Sequence, residues 1–156
     1  MTKVLDRIHD LGFTLPESPK PVATYVPYVF SGNLLITSGQ IPMLDGVLQF
    51  QGSVPSAQPI EAAIKAAEMC GLNAIAVASG ALDGDLDQIN RVLQLRVYVA
   101  SDPGFTDQSL VANGVSNLMV AIFGEKGRHA RVALGSIGLP LGATVEVEAV
   151  FELSPR

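Results

Sequence analysis

The segment TVEVEAVFE, residues 144–152, puts Glu146, Glu148 and Glu152 on one side of an extended chain and apolar groups on the other. A helix repeats its face every three to four residues, so this two-residue period calls for a sheet with one covered face. RVLQLRVYV, at 91–99, alternates in the same way. Whatever covers these strands must be apolar on one side, and the chain contains two such segments. Ile60, Ala63, Ile64, Ala67, Gly71, Ala74 and Ala78 form a stripe of small residues at helical spacing, predicting a close-packed helix opened near Ser56 and ended by Gly80. FTDQSLVANGVSNLMVAIF, capped at Thr106 or Asp107 and stopped by Gly124, predicts a second helix with Leu110, Val111, Leu118, Ile122 and Phe123 on its apolar face.

Around these helices the remaining strands fall into place. ATYVPYVF (23–30) and NLLITSGQ (33–40) read as two strands joined at Ser31 and Gly32, followed after Gly46 by a weakly extended VLQFQG; two last strands occupy 129–137 and 144–152 on either side of GLPLGA. The order strand, strand, helix, strand, helix, strand, strand predicts a layered α+β domain with both helices on one face of a mixed sheet. A plain hairpin about LPLG would set Arg131 opposite Val150. The other sheet face then needs its own cover. Ahead of the domain, MTKVLDRIHDLGF carries Val4, Leu5, Ile8 and Leu11 at helical spacing and ends at Gly12, and TLPESPKP is too rich in proline to continue it. The chain therefore divides into residues 1–21, a helix and an irregular surface tether, and 22–156, a single domain.

Composition narrows the function. Apolar residues make up 48 % of the chain and charged ones 16 %, too little polar surface to cover a small globule, which favours an oligomer. With a net charge of −5, the longest basic cluster is Arg128, His129 and Arg131, so tight binding of nucleic acid is disfavoured. A single cysteine, Cys70, forms no internal disulfide and reads as a small buried hydrophobe. There is no metal-ligand spacing and no cofactor motif. No apolar run near the first residues is long enough for a signal peptide or a membrane span, and a cytoplasmic location is expected.

One residue breaks the pattern of its strand. Arg131, in GRHARVALG, stands among alanines, valine, leucine and glycine, and an unpaired guanidinium withdrawn from water costs several kcal/mol. It shares its side of the pleat with Ala133 and Gly135, which leave space beside it. Taken alone, the residue is accounted for by an ion pair to a glutamate at a subunit interface. A fork for a planar carboxylate is the rarer alternative, since structural ion pairs outnumber substrate clamps.

Longer stretches carry a resemblance. Tyr25, GNLLITSGQIP (32–42), RVYV (96–99) and HARVALGSIGLPLGATVEVEAVFEL (129–153) are similar, at consistent spacing from Val22 to Leu153, to the RidA (YjgF-like) family, also labelled the L-PSP endoribonuclease family. The resemblance implies a chorismate-mutase-like fold assembled as a homotrimer, with sheets inside, helices outside and clefts between subunits. It implies cofactor-free hydrolysis of reactive 2-enamino and 2-imino acids, such as 2-aminoacrylate, to 2-keto acids and ammonia. Within it Arg131 holds the substrate carboxylate and Glu146 relays protons to a water, while Tyr25, Ser38, Gly39 and Ser116 line the substrate, Ser116 or Asn117 standing where family members carry an asparagine. Ala133 replaces a cysteine common in the family, which removes any role for that thiol. Read from the residues alone, Glu146 belongs to a solvated strand face, Tyr25 to packing, and Ser38 and Gly39 to a strand end. Two other functions compete with deamination: an endoribonuclease, and a trimer that binds small carboxylates without turnover.

Overall fold

The computed structural model describes residues 3–18 and 24–155. Its frame is a five-stranded sheet made of β1 (Tyr28–Ser31), β2 (Leu34–Thr37), β5 (Ile89–Ala100), β6 (Ala130–Ser136) and β7 (Val145–Leu153), in the order β1-β2-β7-β5-β6. Only β5 and β6 run parallel; the other neighbours are antiparallel. Parallel neighbours need a crossover, and α3 (Gln108–Phe123) supplies it. The expected hairpin between the last two strands does not form, because β5 lies between β6 and β7 and pairs with both. Arg131 accordingly stands opposite Leu95 and not Val150. Alternation marks which face of a strand is covered, but it does not name the neighbour.

Both helices cover one face, as the sequence predicts. The buried sides of β5 (Leu95, Val97, Val99) and β7 (Val145, Val147, Ala149, Phe151) meet α2 (Ile60–Ala81) and α3. The helices approach closely where they carry glycine: a Cβ on Gly71 would come within 2.7 Å of Val115 Cγ2, and one on Gly114 would run into the Ile64 carbonyl oxygen. Helix α2 starts at Ile60 behind Pro59, since Ser56 is engaged with the Asp102 carboxylate, and it runs through Gly80 to Ala81. Leu110 is exposed, so the apolar face of α3 is narrower than its sequence indicates.

The strands around the turn glycines are shorter than expected. At the β1–β2 turn, Gly32 takes φ +59°, the left-handed conformation that glycine allows. The extended stretch after Gly46 is half of a small hairpin, β3 (Met43–Leu44) with β4 (Val47–Leu48), whose turn residues Asp45 and Gly46 both have positive φ. Ahead of the domain, α1 (Val4–Asp10) lies against the helix layer: Ile8 is fully buried and Arg7 Nε donates to the Ala121 carbonyl at 2.8 Å. Phe13 and Leu15 pack on the core as well, so residues 13–18 are more firmly attached than a surface tether; residues 19–23 lie outside the described residues. Among the described residues no helix is long and apolar enough to cross a membrane.

Candidate functional site

The guanidinium of Arg131 is held by one helix. Residues paired across a ladder share a face, and Leu95, opposite Arg131, is buried beneath the helices. Arg131 therefore points to the helix side, at the free edge of β6. There Nη1 donates to Asn113 Oδ1 at 2.9 Å and to Ser116 Oγ at 3.1 Å, and Nη2 donates to the Ser109 carbonyl at 3.2 Å. Residues 109, 113 and 116 recur every three to four positions, so α3 presents them as one strip. All three acceptors are neutral. Among the described residues the ion pairs are Arg96–Glu148 and Arg128–Glu125, and neither involves Arg131. Its charge is thus uncompensated, with Nε and one Nη2 hydrogen uncommitted within the described residues. Along the same side of β6, Ala133 packs against the core, and a Cβ on Gly135 would come within 2.9 Å of Gln108 Nε2 and 3.1 Å of Ser101 Oγ, so the small residues expected to leave space beside Arg131 are themselves closely covered.

His129 joins this group from the same side. Its Nε2 lies 2.9 Å from Ser116 Oγ and its Nδ1 2.6 Å from the Gly127 carbonyl. Burial holds its pKa below the usual imidazole range; the bond to Gly127 opposes that shift and Arg131 reinforces it.

The remaining predicted residues gather elsewhere. Glu146 stands opposite Tyr98, three residues along β5 from Leu95 and so on the other, uncovered face. Its carboxylate rests against Gly39: a Cβ there would lie 2.9 Å from Glu146 Cδ and overlap Oε1. Gln40 and Val147 exchange backbone hydrogen bonds of 2.8 and 2.9 Å, which ties the TSGQ segment beside β7. Ser38 lies next to it, but its hydroxyl donates to the Val26 carbonyl at 2.6 Å. Tyr25 is 59 % exposed. Glu146 is half-buried, and burial first, then repulsion from Glu148, raises its pKa.

One chain therefore unites Arg131 with Ser116, and Glu146 with Ser38 and Gly39, but it does not bring the two groups together. Sequence reasoning missed Asn113, although its four-residue offset from Ser109 was visible, and it passed over His129, two residues before Arg131 and hence on the same side of the strand. It also missed Asn73, whose Nδ2 donates to the Ile41 and Met43 carbonyls and fixes the loop after TSGQ. Among the described residues no three His, Cys, Asp or Glu side chains gather as a metal site.

Comparison with known proteins agrees with this architecture. Residues 6–153 match the family described as "YjgF/chorismate mutase-like, putative endoribonuclease". The chain is 43 % identical to Protein TCP17 of Trypanosoma cruzi, over 97 % of this chain and 95 % of that protein. Its fold superposes on the crystal structure of Atu1372 from Agrobacterium tumefaciens, a protein of unknown function, with a TM-score of 0.91 and 46 % identity, covering 97 % and 92 % of the two chains. A protein from Shewanella oneidensis, called a putative endoribonuclease, superposes with a TM-score of 0.93 at 31 % identity, covering 97 % of this chain and all of that one (100 %). With the sheet order, the helix layer and these matches in agreement, the chain belongs to the YjgF/chorismate mutase-like family.

Proposed function

We propose that this protein hydrolyses small reactive 2-imino and 2-enamino acids of the 2-aminoacrylate type to 2-keto acids and ammonia. The observation that carries the reading is the state of Arg131: a cation at an open strand edge, oriented by three neutral acceptors, with donors left for a planar carboxylate. The chemistry asks for little beyond position and charge, because an imine already hydrolyses in water. Glu146, which burial makes easier to protonate than an ordinary carboxylate, suits proton transfer. Since it faces away from Arg131 in its own chain, its participation requires a second copy, in keeping with the homotrimer that the family resemblance implies. The test generates 2-aminoacrylate enzymatically and times pyruvate release. Release at the uncatalysed rate refutes deamination.

Cleavage of RNA is the second reading, supported by the family's description and the Shewanella relative's name. Against it, Arg128 is tied to Glu125 at 3.1 Å, which leaves little of the basic cluster for phosphates. RNA cleaved by metal-free, highly purified protein, and not by an Arg131→Ala preparation, would favour it.

A further inference from the structure

We propose that Ser116 and His129 are the proton-transfer pair of the Arg131 site, Ser116 touching the reacting atoms and His129 acting through it. The proposal rests on the deaminase reading and adds residues to it.

The hydrogen bonds fix the direction of transfer. The Gly127 carbonyl can only accept, so the hydrogen of a neutral imidazole is on Nδ1, 2.6 Å away, and Nε2 is a bare acceptor. Ser116 must then donate its hydroxyl hydrogen to Nε2 across 2.9 Å. A hydroxyl has one donor and two lone pairs. The donor goes to His129 and one lone pair to Arg131 Nη1 at 3.1 Å, which leaves one lone pair for a ligand seated on the same guanidinium. Gly127 takes the place of the acid that orients a catalytic histidine elsewhere. Arg131 adds positive charge beside the oxygen that must pass a proton, which favours its deprotonated form.

Within one chain, geometry places this pair beside Arg131, whereas the carboxylate reaches the site only from a second copy. Among the described residues His129 is the imidazole in the hydrogen-bond network of Arg131, whereas Glu146 is on the opposite sheet face. Burial keeps the imidazole neutral, ready to accept.

The step balances without a co-reactant. As water adds to the imine carbon, a C–O bond forms and the π pair moves to nitrogen; the proton shed by water enters Ser116 Oγ while the serine's own proton passes to His129 Nε2. The imidazolium returns its proton to Ser116 Oγ as the hydroxyl passes its own to the nitrogen, giving a carbinolamine. A second passage takes the carbinol hydroxyl's proton to nitrogen as the C–N bond breaks and the oxygen closes a carbonyl. Keto acid and ammonia leave, and both side chains are restored.

The test compares the full chain with its Ser116→Ala, His129→Gln and His129→Ala variants, measuring turnover of 2-aminoacrylate and, separately, binding of pyruvate. The pair predicts a fall in kcat of about a hundredfold or more in each variant, the usual size of acid–base help, with pyruvate affinity changed by less than about threefold. It also predicts that added imidazole restores part of the turnover of His129→Ala, which a merely structural tie between α3 and β6 would not allow. Variants with kcat within about threefold of the parent, or losses that track pyruvate affinity and resist imidazole, overturn the proposal. If the parent itself has no turnover, the deaminase reading fails, and the pair is judged by 15N spectra of His129. An Nδ1-protonated ring whose Nε2 signal moves on pyruvate addition, and does not move in Ser116→Ala, supports it; an Nε2-protonated or unresponsive ring overturns it.

Discussion

Arg131→Ala should abolish capture of small 2-keto acids while leaving the fold standing. In the structure the side chain gives three hydrogen bonds to α3 and is itself exposed, so its loss to stability is on the order of 1 kcal/mol, since exposed polar contacts exchange readily with water. For a domain of this size that lowers Tm by roughly 2–4 °C. The loss to binding is larger. Nε and the uncommitted Nη2 hydrogen supply two charge-assisted bonds to a carboxylate, each worth about 1.5–3 kcal/mol, so even the low end sums to about 3 kcal/mol, or more than a hundredfold in Kd. Arg131→Lys keeps the charge and gives up the fork, and should fall between, near tenfold weaker by the same arithmetic. Titration calorimetry with pyruvate measures all three proteins, with thermal melts as the control for folding. Equal affinity in the folded alanine variant, or a lysine variant indistinguishable from the parent, refutes the carboxylate clamp.

Gly39→Ala should cost little in Tm, because the atoms nearest the new methyl all belong to the Glu146 side chain, which can turn aside, yet it should lower deaminase kcat by displacing that carboxylate; unchanged turnover would separate Glu146 from the chemistry. Glu146→Gln should stabilise the protein in neutral buffer. A carboxyl whose folded pKa is raised contributes stability that is full below its unfolded pKa, 4.5, and is lost as pH rises through the folded value. Urea melts should therefore find the glutamine variant ahead near pH 7 and level near pH 4, and an equal gain at both would contradict the burial argument. Mixing inactive Arg131→Ala and Glu146→Gln proteins through unfolding and refolding should restore about one quarter of parental activity, the share of interfaces in a closed ring that pair an intact arginine with an intact glutamate by chance. No recovery would mean that two chains do not share the site.

How far the sequence carries depends on which force fixes each feature. Burial writes itself into hydrophobic period, so the strands of residues 91–99 and 144–152, their covered face and the two covering helices could be read directly. Neighbour choice is set by long-range packing and leaves no such mark, which is why β5 could be placed but not inserted between β6 and β7. The β3–β4 hairpin was available in Asp45-Gly46, a turn pair suited to two positive φ values, and went unread beside so short a strand. In the site, Arg131 was conspicuous because a charge in an apolar strand demands a partner. That partner proved to be a helix strip in which Ser116, a position that resemblance indicated, is joined by Asn113 one turn before it. Glu146 was correctly placed on the face it shares with Glu148 and Glu152, but the alternation that shows this says nothing about which side Arg131 takes.

The fold and the site also meet at Gly114. It follows Asn113 and lies two residues before Ser116, and its turn of α3 grips Arg131 with one side and rests on α2 with another. A Cβ at this position would overlap the Ile64 carbonyl oxygen and come within 3.0 Å of its carbon, and backbone cannot swing aside as a side chain can. Gly114→Ala must therefore push α3 away from α2. Alanine gains roughly 1 kcal/mol over glycine as a helix former, but overpacking of a close interface costs about 1–3 kcal/mol, so the balance is destabilising or near zero. Function has no such compensation: moving catalytic groups by about 1 Å can cost a hundredfold in rate. The variant should thus lose far more kcat than its shift in Tm explains, whereas Gly124→Ala, at the far end of α3 with φ +61° and nothing within 4 Å, should lose stability through strain and keep its turnover. If both variants lose activity only in proportion to stability, the α2–α3 contact is a matter of folding alone and does not set the position of the Arg131 strip.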